Sequence, residues 1–127
     1  MAKIMIVDDD LQAASLVERV VKMFGHQPVV VTKSGLAMET AHTVEPELFI
    51  LDLMMPEING FELCTLLRAD PQFANSPVIV VSAMEDKDSK AKASSLGVNE
   101  YMTKPFDIVE LGDKIAALLA QHKTTSG

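Results

Sequence analysis

Apolar residues in this chain follow two rhythms. Short unbroken runs read as strands: KIMIV (3–7), PVVVT (28–32), ELFILDL (47–53), SPVIVVSA (76–83) and NEYMT (99–103). Longer amphipathic segments lie between them. In LQAASLVERVVKMF (11–24), Leu16, Val20, Met23 and Phe24 fall at helical spacing, and Gly25 stops the pattern. LAMETAHTV (36–44) is introduced by Ser34-Gly35, and FELCTLLRA (61–69) is opened by Asn59-Gly60 and closed by Asp70-Pro71. DKDSKAKASSL (86–96) ends at Gly97, and DIVELGDKIAALLAQH (107–122) is a last helix before the polar tail KTTSG.

Strands and helices therefore alternate throughout. The strands are continuous apolar runs, which predicts a sheet covered on both faces. Alternation with double coverage predicts an α/β fold with a parallel sheet wound by right-handed crossovers. Five strands favour the flavodoxin-like order 2-1-3-4-5. One domain is predicted over 1–122, with 123–127 a tail or the start of a linker.

In such a fold, ligands bind at the carboxyl ends of the strands, near the switch point between the first and third. The first strand ends in Asp8, Asp9 and Asp10, the third at Asp52, the fourth at Ser82, and the fifth leads into Lys104-Pro105. Asp52 interrupts an apolar run, and an unpaired buried carboxylate costs several kcal/mol, so this position predicts emergence at the rim. Clustered carboxylates repel, by on the order of 4 kcal/mol per pair at about 4 Å and an effective dielectric near 20. Lys104 offsets part of that, and a cation is expected to offset the rest. Hard oxygen donors without His or Cys select Mg²⁺ or Mn²⁺ over zinc. A metal, a free carboxylate, a hydroxyl and a lysine together suit phosphoryl transfer.

Composition narrows the classes further. Net charge is -7, which argues against direct binding of nucleic acid. The single cysteine, Cys64, permits no intramolecular disulfide and fits a reducing compartment. MAKIMIVDDD lacks the form of a signal peptide, and no apolar run approaches the roughly 20 residues of a membrane span. A cytoplasmic protein with no membrane partner is expected.

With IVDDD (6–10), LDLMMPEINGFEL (51–63), VIVVSA (78–83) and YMTKPF (101–106) in place, the sequence resembles the receiver domain of bacterial two-component response regulators. The resemblance runs from Lys3 to about Leu119. It implies that Asp52 is the phosphoacceptor, taking a phosphoryl group from the phosphohistidine of a histidine kinase or phosphotransfer protein. It implies that Asp9 ligates Mg²⁺ directly, Asp8 helps hold it through water, and the Met54 carbonyl is a further ligand. Ser82 takes the hydroxyl position that bonds a phosphoryl oxygen. Lys104 takes the lysine position, usually presented through a cis Lys-Pro bond, and Tyr101 the aromatic switch position. The implied protein is not a conventional enzyme: it catalyses its own aspartyl phosphorylation and dephosphorylation, then acts on a downstream protein or output domain.

Asn59 and Val98 depart from residues common in the family, at positions away from the chemistry. Met54 and Met84 occupy positions that tune hydrolysis, and two thioethers there predict a long-lived phosphoaspartate. The face of the fourth helix, fifth strand and last helix is where many receivers dimerise or bind partners; a homodimer through it stays open.

Several residues have plainer readings. Asp10 reads as a helix cap, Cys64 as a small core residue, and Lys87, Lys90 and Lys92 as a solvated face. His26, His42 and His122 lack ligand spacing. The fourth helix is poor in large apolar groups and is the element expected to shift. A flavodoxin-type cofactor binder would need a phosphate-cradling loop after the first strand, where three aspartates would repel phosphate. A haloacid-dehalogenase-type phosphatase would need Asp-x-Asp-x-Thr there, and Asp10 is followed by Leu11-Gln12. The alternative that remains is a receiver-like module that binds proteins independently of phosphorylation.

Overall fold

The computed structural model describes residues 1–126, with side chains through His122. Five strands are present: β1 (Lys3–Val7), β2 (Gln27–Val31), β3 (Leu48–Leu51), β4 (Val78–Ser82) and β5 (Glu100–Thr103). The helices are α1 (Leu11–Met23), α2 (Ala37–Val44, preceded by a 3-10 turn at Ser34–Leu36), α3 (Gly60–Ala69), α4 (Lys87–Ser95) and α5 (Ile108–Ser126). All strand pairs are parallel, in the order β2-β1-β3-β4-β5. This is the α/β topology expected from the alternation.

Most element ends lie one or two residues from the expected ones, and the ends of β3 and α5 have local causes. β3 stops at Leu51 rather than running through Leu53: the Asp52 amide still bonds the Val7 carbonyl, and beyond it the chain leaves the sheet toward the rim. α5 continues to Ser126 instead of ending at His122. Lys123, Thr124, Thr125 and Ser126 include no glycine or proline to break it.

Successive strand residues point to opposite faces, so each strand feeds two cores. Ile4, Ile6, Ile50, Ile79 and Val81 pack with Val17, Val20, Val21, Leu111 and Ile115 of α1 and α5. Met5, Val7, Phe49, Leu51 and Val78 pack with Ala37, Ala41, Leu63, Cys64, Leu67 and Phe73 on the other side. Each large side chain buried in this way contributes about 1.5–3 kcal/mol. Cys64 is buried there as a small core residue, as expected.

Local chemistry sets the helix ends. The Asp10 side chain accepts hydrogen bonds from the Gln12 and Ala13 amides and caps α1, as expected. After Phe24, Gly25 adopts φ 86°, a left-handed conformation that suits glycine. Asn59 and Glu62 form a reciprocal capping box at α3. At the amino-terminal end of the sheet, the Arg68 guanidinium donates to the carbonyls of Phe73, Ala74, Ser76 and Gly97 and to the Asn99 side chain. It ties α3 to the starts of β4 and β5, leaving the opposite rim to the polar strand ends. Among the described residues, no helix is long and apolar enough to cross a membrane.

Candidate functional site

Strand register brings the acidic ends together. Val7 and Leu51 are register partners, so the next residue of each strand, Asp8 and Asp52, emerges side by side. The Asp52 amide donates to the Val7 carbonyl at 3.0 Å, and the Asp8 amide to the Val31 carbonyl at 3.2 Å. Ser82 is the register partner of Thr103, which places Lys104 just beyond it, with its amide bonded to the Ser82 carbonyl at 2.8 Å. The Lys104-Pro105 bond is cis.

The side chains converge from there. Lys104 Nζ lies 3.0 Å from Asp8 Oδ2 and 3.5 Å from Asp52 Oδ2. Asp8, Asp9 and Asp52 each offer a carboxylate oxygen, all within 4.8 Å of one another. Asp8 and Asp52 are buried and Asp9 is exposed, so the cluster opens to solvent on one side. The Leu53 amide donates to Asp52 Oδ1 at 2.7 Å and fixes the rotation of that carboxylate. The Asp10 amide does the same for Asp8 Oδ1 at 3.0 Å.

Electrostatics follow from the packing. Burial pushes the Asp8 pKa up, and the Asp52 charge adds to this against the Asp10 amide and Lys104. Burial pulls Lys104 down, but the Asp8 hydrogen bond and the charges of Asp52 and Asp8 outweigh it, and its pKa is raised. The lysine is therefore held as a cation between two acids. The donor set around it is wholly hard oxygen, with neither His nor Cys, which suits Mg²⁺ or Mn²⁺ and not zinc.

Ser82 is fully buried, and its hydroxyl accepts from the Met84 amide at 3.2 Å. Tyr101 is half-buried and donates to the Met84 carbonyl at 2.6 Å, so its ring already faces the β4–α4 loop. Burial pushes its pKa up, against the opposing effect of the Ser82 hydroxyl. Met54 is 66% exposed beside Asp52. An open groove of about 500 Å³, lined by Leu53, Met54, Met55, Pro56, Phe61 and Met84 among others, adjoins the acidic rim.

The structure thus brings together Asp8, Asp9, Asp52 and Lys104, with Ser82 and Tyr101 on the β4–β5 side. Two residues that hold the site were read in sequence only as helix-opening signals. A Cβ at Gly60 would overlap the Asp52 carbonyl oxygen, so α3 can start against the acidic strand end only with glycine there. Ser34 is buried and bonds to the backbone on both sides of Glu57. The Gly60 signal was available in the Asn59-Gly60 pair; nothing local to Ser34 announces partners 22 and 24 residues away.

Residues 4–116 match the family described as the response regulator receiver domain. The chain is 34% identical over 119 residues to the DNA-binding dual master transcriptional regulator RpaA of Synechocystis sp., covering 94% of this chain and 49% of that one. It is 31% identical over 121 residues to the alkaline phosphatase synthesis transcriptional regulatory protein PhoP of Bacillus subtilis, covering 95% and 50%. The chain spans about half the length of these two curated relatives. Among solved structures, the receiver domain of the Francisella response regulator 1452 superposes with a TM-score of 0.88 at 29% identity, covering 96% of this chain and 99% of that one.

Proposed function

This chain belongs to the response regulator receiver family, and from that premise we propose that it accepts a phosphoryl group on Asp52 from the phosphohistidine of a histidine kinase or phosphotransfer protein. The observation that carries the reading is the Lys104 ammonium set 3.0 Å from Asp8 and 3.5 Å from Asp52 within a single acidic cluster. The family is not one of conventional enzymes; its receivers bind Mg²⁺ at an acidic pocket and work with kinases and output domains.

An Asp52 carboxylate oxygen attacks phosphorus in line, the P–N bond to the donor imidazole breaks, and the ring nitrogen keeps the electron pair. The product is an acyl phosphate. The Leu53 amide orients the nucleophile by holding Oδ1. Lys104 stabilises the charge on the transferring phosphoryl oxygens. Asp9, Asp52 and the Met54 carbonyl are the residues that would hold Mg²⁺ (Mn²⁺ can take its place), with Asp8 acting through water. The bound ion would supply charge neutralisation for the phosphoryl group. The Ser82 hydroxyl would hydrogen-bond a phosphoryl oxygen, and Tyr101 would repack as Ser82 moves. Residues 1–122 form the receiver unit in this reading.

The test is incubation with Mg²⁺ and a small acyl-phosphate donor, followed by intact mass. A gain of one phosphoryl group, lost in Asp52→Asn and with chelator, is the expected result. No gain in the unaltered chain would refute the reading and leave a protein-binding module that works independently of phosphorylation.

A further inference from the structure

Ser34 is 2% exposed, and its hydroxyl is used twice. Oγ donates to the Pro56 carbonyl at 2.7 Å and accepts from the Ile58 amide at 3.1 Å. The residue between those two groups, Glu57, has φ 69°, a left-handed conformation uncommon outside glycine. Its carboxylate stands over Gly35, where a Cβ would collide with it. The segment is pinned on its inner side as well: Met55 is buried in the second core, and Ile58 packs against that core. Ser34-Gly35 is therefore a fixed seat for the strained turn at 56–58.

That turn ends the loop that begins at Asp52. Its first amide, at Leu53, orients the Asp52 carboxylate, and the Leu53 carbonyl accepts from the Gly60 amide at 2.9 Å. The loop is thus held at Leu53, by the Gly60 amide, and at Pro56 and Ile58, by one hydroxyl. Met54 lies between these two points.

We propose that Ser34 is a positioning residue for phosphoryl transfer: its hydroxyl locks the Pro56–Ile58 turn so that the Asp52–Met54 segment keeps the geometry that receives a divalent cation. The inference rests on the phosphoacceptor reading of Asp52. Ser34 touches neither metal nor phosphoryl group; it acts through backbone. Removing the hydroxyl leaves a part-buried carbonyl and a part-buried amide without their partner at the buried Ser34 position. The left-handed Glu57 then has a route to relax, and the relaxation displaces Met54. Loss of a group that orients metal ligands typically weakens metal binding at least about tenfold.

The experiment uses the full chain and Mg²⁺ alone, titrated while the backbone amide resonances of residues 52–54 are followed. Ser34→Ala is expected to raise the half-saturating Mg²⁺ concentration about tenfold, and Ser34→Thr, which keeps the hydroxyl, to restore most of it. With an acyl-phosphate donor added, the Mg²⁺ midpoint for phosphorylation should rise in parallel while the maximal rate at saturating Mg²⁺ changes less than threefold. A merely structural role would lower stability in chelator and leave both midpoints in place, and that result overturns the proposal. Should Ser34→Ala fail to fold, the unaltered chain carries the test: binding is reciprocal, so Mg²⁺ must slow hydrogen exchange at the Ile58 amide. Unchanged exchange there overturns the proposal. If the unaltered chain binds Mg²⁺ and is phosphorylated but Ser34→Ala matches it, this inference alone falls. If the unaltered chain does neither, the phosphoacceptor reading falls with it.

Discussion

Asp8→Asn should stabilise the metal-free protein. Asp8 is buried, and oxygens of Asp9 and Asp52 lie within 4.8 Å of its own. At an effective dielectric of about 20, each of these like pairs costs about 3.5 kcal/mol, and the Lys104 contact at 3.0 Å returns about 5.5 kcal/mol. These charges nearly cancel once solvent screens exposed Asp9, and the lost hydration of the buried carboxylate tips the balance against its ionised form. Burial is the largest cause of the raised pKa, with the Asp52 charge adding to it against the Asp10 amide and Lys104. A carboxyl whose pKa is raised on folding binds its proton more tightly in the native state. Its cost is therefore absent well below pH 3.8, grows as pH rises toward the folded pKa, and is fully present above it. Urea unfolding followed by circular dichroism at neutral pH, in chelator, should show Asp8→Asn more stable than the parent by about 1 kcal/mol. Excess Mg²⁺ should then reverse the order. The parent gains about 1.4 kcal/mol at a concentration about tenfold above Kd, and the variant, short of one carboxylate, gains less. A variant less stable than the parent in chelator would refute the balance of charges drawn here, because the Lys104 contact would then outweigh repulsion and burial together.

The remaining predictions concern positions with separate roles. Arg68→Ala should cost about 2–3 kcal/mol in urea unfolding, since it strips a charged donor from four carbonyls and the Asn99 side chain; Arg68→Lys should not rescue it, because an ammonium cannot span them. Met84→Glu should hasten loss of the phosphoryl group from Asp52, measured by intact mass after the donor is removed, because a carboxylate can orient the attacking water and a thioether cannot; loss at an unchanged or slower rate would count against a long-lived phosphoaspartate. Cys64, buried and with its thiol pKa raised by burial, should resist alkylation in the native protein and react fully once unfolded; rapid native labelling would mean that α3 opens from the core.

Much of this molecule is legible in the sequence because the governing signals are local. Unbroken apolar runs mark β1, β3 and β4, and the polar residue ending each run marks the rim. Asp10 announces itself as a cap by standing just ahead of an amphipathic run, and Asn59 stands at the spacing from Glu62 that a capping box requires. The latch at Ser34 and the clamp at Arg68 are different in kind. Their partners are mostly backbone groups, which every residue possesses, so no side-chain pattern points to them. The far end of α5 is hidden for a related reason: a polar segment reads as a tail, yet nothing in Lys123–Ser126 breaks a helix. Tyr101 is legible as a residue of β5, but its bond to the Met84 carbonyl depends on a rotamer that sequence cannot specify.

α4 shows what a weakly seated element permits. Its buried residues are Ser89 and Ala93, and neither brings a large apolar group into the core. Leucines at those two places would each anchor the helix by about 1.5–3 kcal/mol, comparable to what a few new hydrogen bonds to a phosphoryl group can offer. Small residues leave the anchoring side of that contest the weaker one. If Asp52 is the phosphoacceptor as proposed, the helix can then answer that event at the rim while both cores stay shut, and a signal can leave the domain without the fold being put at risk.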